Sequence, residues 1–351
     1  MNNPKYVAYV STYTMGDNRG ISIYDVDVEK GTFTEKGKVE ITNSSYITGS
    51  HNNKYLYSIT DFGVEAFKIM PDGSLELINK ASINGMRGCY LSTDYKDEFL
   101  FVAGYHDGKL TVLRLDPETG EIGEITDEIF HKGIGSMAER NSRPHISCVK
   151  MTRDNKYLCA ADLGIDHVNV YKLDRTRGKL KQVDIIRSDL GSAPRHMKFS
   201  YCGKYLYIVH EVKNTIDVYE YHEEDDNPFF ERIQSIPTSE DYQSQSISAI
   251  TCNLSLDGNY ITTSNAGENT VTVYERDDKT GKLRTVLNLP ISGEFPKDAC
   301  LFPDNKHLVS LNHESNTMTF FNVDMENGLL VMNGREMPIK QGNSINIHKL
   351  D

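Results

Sequence analysis

The residues of this chain best suited to bind and activate a small molecule sit in two recurring places. One set opens strand-like runs: Arg143-Pro144-His145, Pro194-Arg195-His196, Ser246-Ile247-Ser248 and Pro296-Lys297-Asp298. The other closes the runs that follow: Tyr105-His106, Asp162-Leu163-Gly164, His210-Glu211, Ser264-Asn265 and Asn312-His313-Glu314. Arginine and lysine bring cations for an anionic group, glutamate a carboxylate, and histidine an imidazole that titrates near neutrality. Other chemistry-bearing patterns are missing. The sequence has no GxSxG elbow, P-loop, HExxH or EF-hand loop, and Gly133-Ile134-Gly135 is only a fragment of a dinucleotide fingerprint. The six cysteines are scattered, with no CxxC pair and no zinc-like Cys/His spacing, so they read as small apolar residues of a reduced protein.

What must position these residues is a repeat. A polar residue, an aromatic and an aliphatic strand recur as Lys5-Tyr6-Val7, Lys54-Tyr55-Leu56, Glu98-Phe99-Leu100 and Lys156-Tyr157-Leu158. They recur again as Lys204-Tyr205-Leu206, Asn259-Tyr260-Ile261 and Lys306-His307-Leu308. Turns rich in Asp, Asn and Gly precede several of these anchors. Each anchor is followed by an alternating strand such as Val168-Asn169-Val170-Tyr171 or Val271-Thr272-Val273-Tyr274, then a glycine turn and a further strand. A strand also precedes most anchors, so the unit has four strands, as a propeller blade does. The fifth unit departs, with an acidic loop from Glu223 to Asp226 and Pro228. The first unit lacks its leading strand, and Ser344-Ile345-Asn346-Ile347 is left over at the C-terminal end. The expected fold is therefore all-β: one seven-bladed β-propeller domain over residues 1–351, four antiparallel strands per blade, closed by the C-terminal strand joining the N-terminal blade. Closure removes the sheet edges that an open stack would expose.

In such a blade the innermost strand runs one way and the next runs back. The start of the first and the end of the second then meet on one face, and a polar cleft with at least three cations is expected at the mouth of the central channel. The 351 residues carry 38 basic and 50 acidic side chains, a net charge of −12. That balance argues against nucleic acid or an anionic membrane as partner, but leaves room for a local cationic pocket. No signal-like N-terminus or membrane-length apolar run is present, and a cytoplasmic location is expected. Tryptophan is absent, so the Trp-Asp signature of WD40 repeats is excluded.

Gly191-Ser192-Ala193-Pro194-Arg195-His196 and Asp162-Leu163-Gly164-Ile165-Asp166 resemble motifs of the lactonase family of seven-bladed propellers. That family includes propeller-type 6-phosphogluconolactonases and fungal muconate-lactonising enzymes. Ser11-Thr12-Tyr13-Thr14, Arg143-Pro144-His145 and His210-Glu211 add to the resemblance, which runs over essentially the whole chain. It implies a cleft with a histidine, an arginine and a glutamate. Arg195 and Glu211 match two of them. The family's Pro-His-x-His appears here as Pro144-His145-Ile146-Ser147, so Ser147 holds the usual place of the cleft histidine. Because residues two apart on a strand share a face, His145 is expected to reach the cleft nearer its mouth. Lys297 stands where arginine is usual, keeping the charge without the bidentate fork.

The resemblance implies hydrolysis of a sugar lactone, with 6-phosphogluconolactone the leading substrate and no metal or cofactor required. His145 or Glu211 would activate water, with Glu211 the orienter if it lies against Arg195, and Arg195 would stabilise the oxyanion or hold an anionic group. Arg143, Ser147, His196 and Lys297 are the expected substrate-binding residues. The alternatives are a cyclase or isomerase acting on a muconate-type dicarboxylate, and a binding or interaction propeller that lost activity with the change at Ser147. A monomer or homodimer is expected.

Overall fold

The computed structural model describes residues 4–14, 20–135, 143–239 and 248–350. Ser246 and Ile247, two of the expected strand-start residues, lie outside this set. The described residues form seven antiparallel sheets and no helix. Six sheets have four strands, and the seventh gains a short fifth piece, Met337–Pro338, on its third strand. The C-terminal strand Gly342–Lys349 pairs with Tyr6–Thr12, with Ser344 opposite Ser11 and Ile347 opposite Ala8. It is the innermost strand of blade 1 and closes the ring as expected.

Local chemistry explains why the units recur. On the lower face a polar side chain caps five of the turns and accepts the anchor's N–H, as in Ser50 Oγ with Tyr55 (2.9 Å), Thr152 Oγ1 with Tyr157 (3.0 Å) and Ser255 Oγ with Tyr260 (2.9 Å). The same turns hold Asn53, Asp97, Asn155 and Asn305 at φ between 55° and 63°. Asn and Asp tolerate this left-handed conformation better than other side chains. Tyrosines then stitch neighbouring blades: the Tyr9 hydroxyl donates to the Gly73 carbonyl (2.9 Å) and that of Tyr207 to Gly281 (3.0 Å). The acidic loop of the fifth unit is a tight hairpin rather than a free loop. Strands Thr215–Glu224 and Asn227–Pro237 meet at Asp225-Asp226, both left-handed, and Glu223 and Asp226 pair with Lys156 and Lys172.

The innermost strands line the channel, and their burial shows how. Ile146–Met151, Pro194–Phe199 and Pro296–Leu301 each expose only their second and fifth residues. The spacing of three breaks strand alternation because each strand carries a β-bulge at its second residue. Two layers of side chains result. Ser147, Arg195 and Lys297 belong to the upper layer, with Ser45, Cys89, Ile250 and Asn343 completing it from the other blades. Lys150, Lys198 and Cys300 belong to the lower layer, joined by Thr48, Ser92 and Asn253.

Candidate functional site

The upper layer floors a cleft of about 480 Å³, which narrows into a deeper cavity of about 90 Å³ along the channel. Arg195 occupies the bulge of blade 5 and donates through Nη1 to the carboxylate of Glu211. Glu211 is buried and anchored by its own N–H, which donates to the Ala193 carbonyl (2.9 Å). Burial works against the Arg195 charge, but Glu211 more than restores it and the guanidinium pKa moves up. The structure brings these two expected residues together.

Lys297 occupies the same bulge position in blade 7. Its Nζ donates to Asn343 Oδ1 (2.6 Å) and lies 4.8 Å from the centre of the Tyr13 ring. Burial, reinforced by Arg195 and Arg87, pulls its pKa down to about 7. Arg87 is the third cation of the cleft. It donates to Asp61 Oδ1 (3.0 Å) and covers the Tyr13 ring at 4.9 Å, so Tyr13 is shared by two cations. Arg87 comes from an irregular connection between blades, and nothing in the repeat singled it out.

The position of Glu211, just past the end of a blade's second strand, has counterparts in Tyr105 and His313, which also line the cleft. The His313 Nδ1 lies 2.8 Å from the Gly342 carbonyl, which assigns the proton to Nδ1 and leaves the Nε2 lone pair unprotonated. The ring packs edge-on to Tyr13 at 5.9 Å. Burial first, then Lys297, lowers its pKa, so it stays neutral at neutral pH. The sequence marks His313 as a strand-end residue without assigning it a role; its hydrogen bond and place in the wall are what distinguish it.

The remaining expected residues are placed differently. His145 precedes its strand and does not line the cleft. Its N–H donates to Asp162 Oδ1 (2.7 Å), its Nδ1 bonds the Tyr105 carbonyl (2.6 Å), and its ring stacks on Tyr105 with centroids 4.4 Å apart. The expectation of a shared face with residue 147 fails because the bulge falls between Ile146 and Cys148 and shifts the alternation. His145 therefore supports Tyr105 from behind. Ser147 lines the deeper cavity, where its Oγ donates to the Pro194 carbonyl (3.1 Å). His196 lines it too, as a neutral ring: its Nδ1 accepts the Cys252 N–H (3.1 Å), and burial followed by Lys198 and Lys150 pushes its pKa well down. That state does not suit it to hold an anion. Arg143 is exposed and outside the cleft; its carbonyl packs so closely under Gly164 that a Cβ there would lie 1.7 Å from it.

The Asp162-to-Asp166 motif turns out to be scaffold. Asp162 accepts the N–H groups of His145 and Gly164 and pairs with His131 Nδ1 (2.7 Å). Asp166 accepts the N–H groups of Gly191 and Ala193, both at 2.8 Å. One loop of blade 4 thus fixes the entries to two innermost strands, including the one that carries Arg195.

The arrangement can hold an anionic group between Lys297 and Arg87, polarise a carbonyl with a pre-positioned guanidinium, and take a proton at His313 Nε2. The family described as lactonase, seven-bladed beta-propeller matches residues 7–347. A 6-phosphogluconolactonase of Bacillus subtilis is 31% identical over 337 residues, covering 93% of this chain and 94% of its own. An uncharacterized protein of Staphylococcus saprophyticus is 33% identical over 331 residues, covering 91% and 92%. A crystal structure from Bacteroides fragilis, provisionally named a 6-phosphogluconolactonase, superposes with a TM-score of 0.88 at 27% identity, covering 98% of both chains.

Proposed function

The chain belongs to the lactonase family of seven-bladed β-propellers, and from that premise we propose that it hydrolyses a sugar lactone bearing an anionic group, 6-phosphogluconolactone first among them. The observation that carries this reading is the Arg195–Glu211 pair set beside Lys297 at the channel mouth, with the neutral His313 in the same wall.

In this reading the lactone carbonyl oxygen lies against the Arg195 guanidinium. Water attacks the carbonyl carbon as His313 Nε2 takes its proton. The negative charge that develops on the carbonyl oxygen is stabilised by a cation already fixed in place, so little reorganisation is needed during reaction. Collapse of the tetrahedral intermediate breaks the ring C–O bond, and His313 returns the proton to the departing alkoxide. The products are a hydroxyl and a carboxylate. Glu211 acts as a positioning residue that sets the Arg195 rotamer, and Lys297 with Arg87 takes the substrate's phosphate or carboxylate.

The test is kinetic. Purified protein should open 6-phosphogluconolactone well above the spontaneous rate, and Arg195→Ala should remove the acceleration while leaving the fold intact by circular dichroism. No acceleration on this lactone or on a panel of sugar lactones would sink the reading.

A further inference from the structure

Below the cleft, the lower layer of the channel poses a separate electrostatic problem. Lys150 and Lys198 occupy equivalent places on the innermost strands of adjacent blades, each three residues past an upper-layer residue. The other members of that layer named above, Thr48, Ser92, Asn253 and Cys300, carry no negative charge at neutral pH. Among the described residues, neither lysine has an ion-pair partner. The carboxyl that senses Lys198 is Asp298, and its oxygens are already taken by the N–H groups of Ala299 and Ile345 and by Asn253 Nδ2 (2.7 Å). Burial raises the Asp298 pKa as well, which weakens it as a counter-ion.

A third cation stands at the channel's lower exit. Arg153, one layer below Lys150, is sandwiched between the Tyr95 and Tyr201 rings at 4.7 and 4.9 Å, and its buried Nε has no hydrogen-bond partner. Burial, then Lys198, drags the Lys150 pKa down to about 7, and Arg153 adds to the effect. Half-buried like charges without an acid between them are costly, and a bound anion removes the cost.

We propose that the lower channel is a second ligand site, holding a small tetrahedral oxyanion of the phosphate class between Lys150 and Lys198. Both lysines keep part of their surface open inside the channel. The cavity above them, about 90 Å³, is lined by the upper layer with Tyr90 and His196, and Lys150 Nζ lies 5.4 Å from the centre of the Tyr90 ring. A passage of that size does not admit a sugar phosphate from the cleft, so the ligand is the free ion.

Inorganic phosphate is the probe, titrated into the full chain at pH 7 and low ionic strength and followed by calorimetry and phosphorus NMR. Saturable binding is expected in the wild type and in Lys297→Met, which lacks the cleft lysine assigned to the substrate's phosphate, with a weakening of at least tenfold when Lys150→Met or Lys198→Met is added to it. Lys150→Gln and Lys198→Gln replace any methionine variant that does not fold. Absence of saturable binding in the wild type, or unchanged binding in both lower-layer variants, would overturn the site. A further arm adds 6-phosphogluconate to Lys297→Met loaded with phosphate. Retention of the bound ion supports the free ion as ligand; its displacement would overturn that assignment.

Discussion

The two faces of the disc solve the same backbone problem with different residues. On both, the chain must pass through left-handed conformations next to an innermost strand. The lower face uses Asn53, Asp97, Asn155 and Asn305, together with Gly203 and Gly258. The upper face uses Asn43, Ala193, Ser248, Phe295 and Gln341, each two residues before a channel-lining side chain, at φ between 45° and 60°, and of these only Asn43 is of a type that favours the conformation. Alanine, serine and phenylalanine gain nothing from that conformation, and strain of this kind gathers at functional sites. The charges differ too. Above, Arg195 has Glu211, Arg87 has Asp61, and Lys297 has Asn343 and Tyr13. Below, Lys150 has the Tyr90 ring at 5.4 Å, and neither it nor Lys198 has an ion-pair partner among the described residues. The upper face holds its cations ready for a transition state, whereas the lower face leaves its cations to be met by a ligand.

The largest difference between the faces is expected at Arg195. Arg195→Ala should lower kcat/KM for the lactone by about 10²–10³-fold, the usual effect of losing one pre-positioned oxyanion group. Lys150→Met, one layer below in the neighbouring blade, should leave kcat/KM within about threefold, since it touches neither substrate nor water. Equal losses in the two variants would mean that the layers do not divide their work. His313→Ala should lower kcat by roughly 10²-fold, at the low end for a general base, and should remove the acidic limb of the pH–rate profile. Persistence of that limb would move the base to another residue.

Lys297→Met should act mainly on binding. An approximately tenfold rise in KM for the phosphorylated lactone, with little change for its unphosphorylated counterpart, would place the anionic group at Lys297. A uniform rise for both would instead make Lys297 part of the carbonyl site.

The same contrast explains how much the sequence tells. The lower face is legible because asparagine, aspartate and glycine announce their turns, and the repeat follows from them together with the alternating second strands. The leftover Ser344–Ile347 segment has one place to go once seven anchors are counted. Arg195, Glu211 and Lys297 are legible because they recur at matching places in the unit. The upper face hides its geometry, since nothing in Ala193 or Phe295 announces a left-handed turn and no residue type marks the bulge. That bulge is what sends Ser147 into the channel and leaves His145 behind Tyr105. Arg87 sits outside the repeat, so periodicity has no purchase on it.

Stability should respond to pH through the two channel lysines whose pKa values burial lowers. Lys150 and Lys297 each titrate near 7 in the folded chain, against an ordinary value of 10.5. Between those values the unfolded chain binds more protons than the folded one, so stability rises with pH. The penalty is fully present below about 7 and fades as pH climbs toward 10.5. Urea unfolding at pH 7 and pH 8.5 should show the folded state gaining stability. Lys150→Met should flatten the rise, whereas Lys213→Met, which removes an exposed lysine paired with Asp189, should not.

The smallest effect tests the strain itself. A left-handed backbone costs an ordinary L-residue roughly 1–2 kcal/mol. Glycine escapes that cost but loses roughly 0.5–1 kcal/mol through its greater freedom when unfolded. Ser248→Gly should therefore stabilise the protein by about 0.5–1 kcal/mol, because the side chain is small and only half-buried. Asn53→Gly, at a similar φ on the lower face, should change stability by less than about 0.5 kcal/mol, since asparagine already tolerates that conformation. Urea denaturation of the two variants decides between a strained upper rim and a relaxed one. If Ser248→Gly also lowers kcat while raising stability, the strain is serving the cleft by holding its wall in place. If both variants behave alike, the two faces differ in residue type alone, and the strain reading of the upper turns fails.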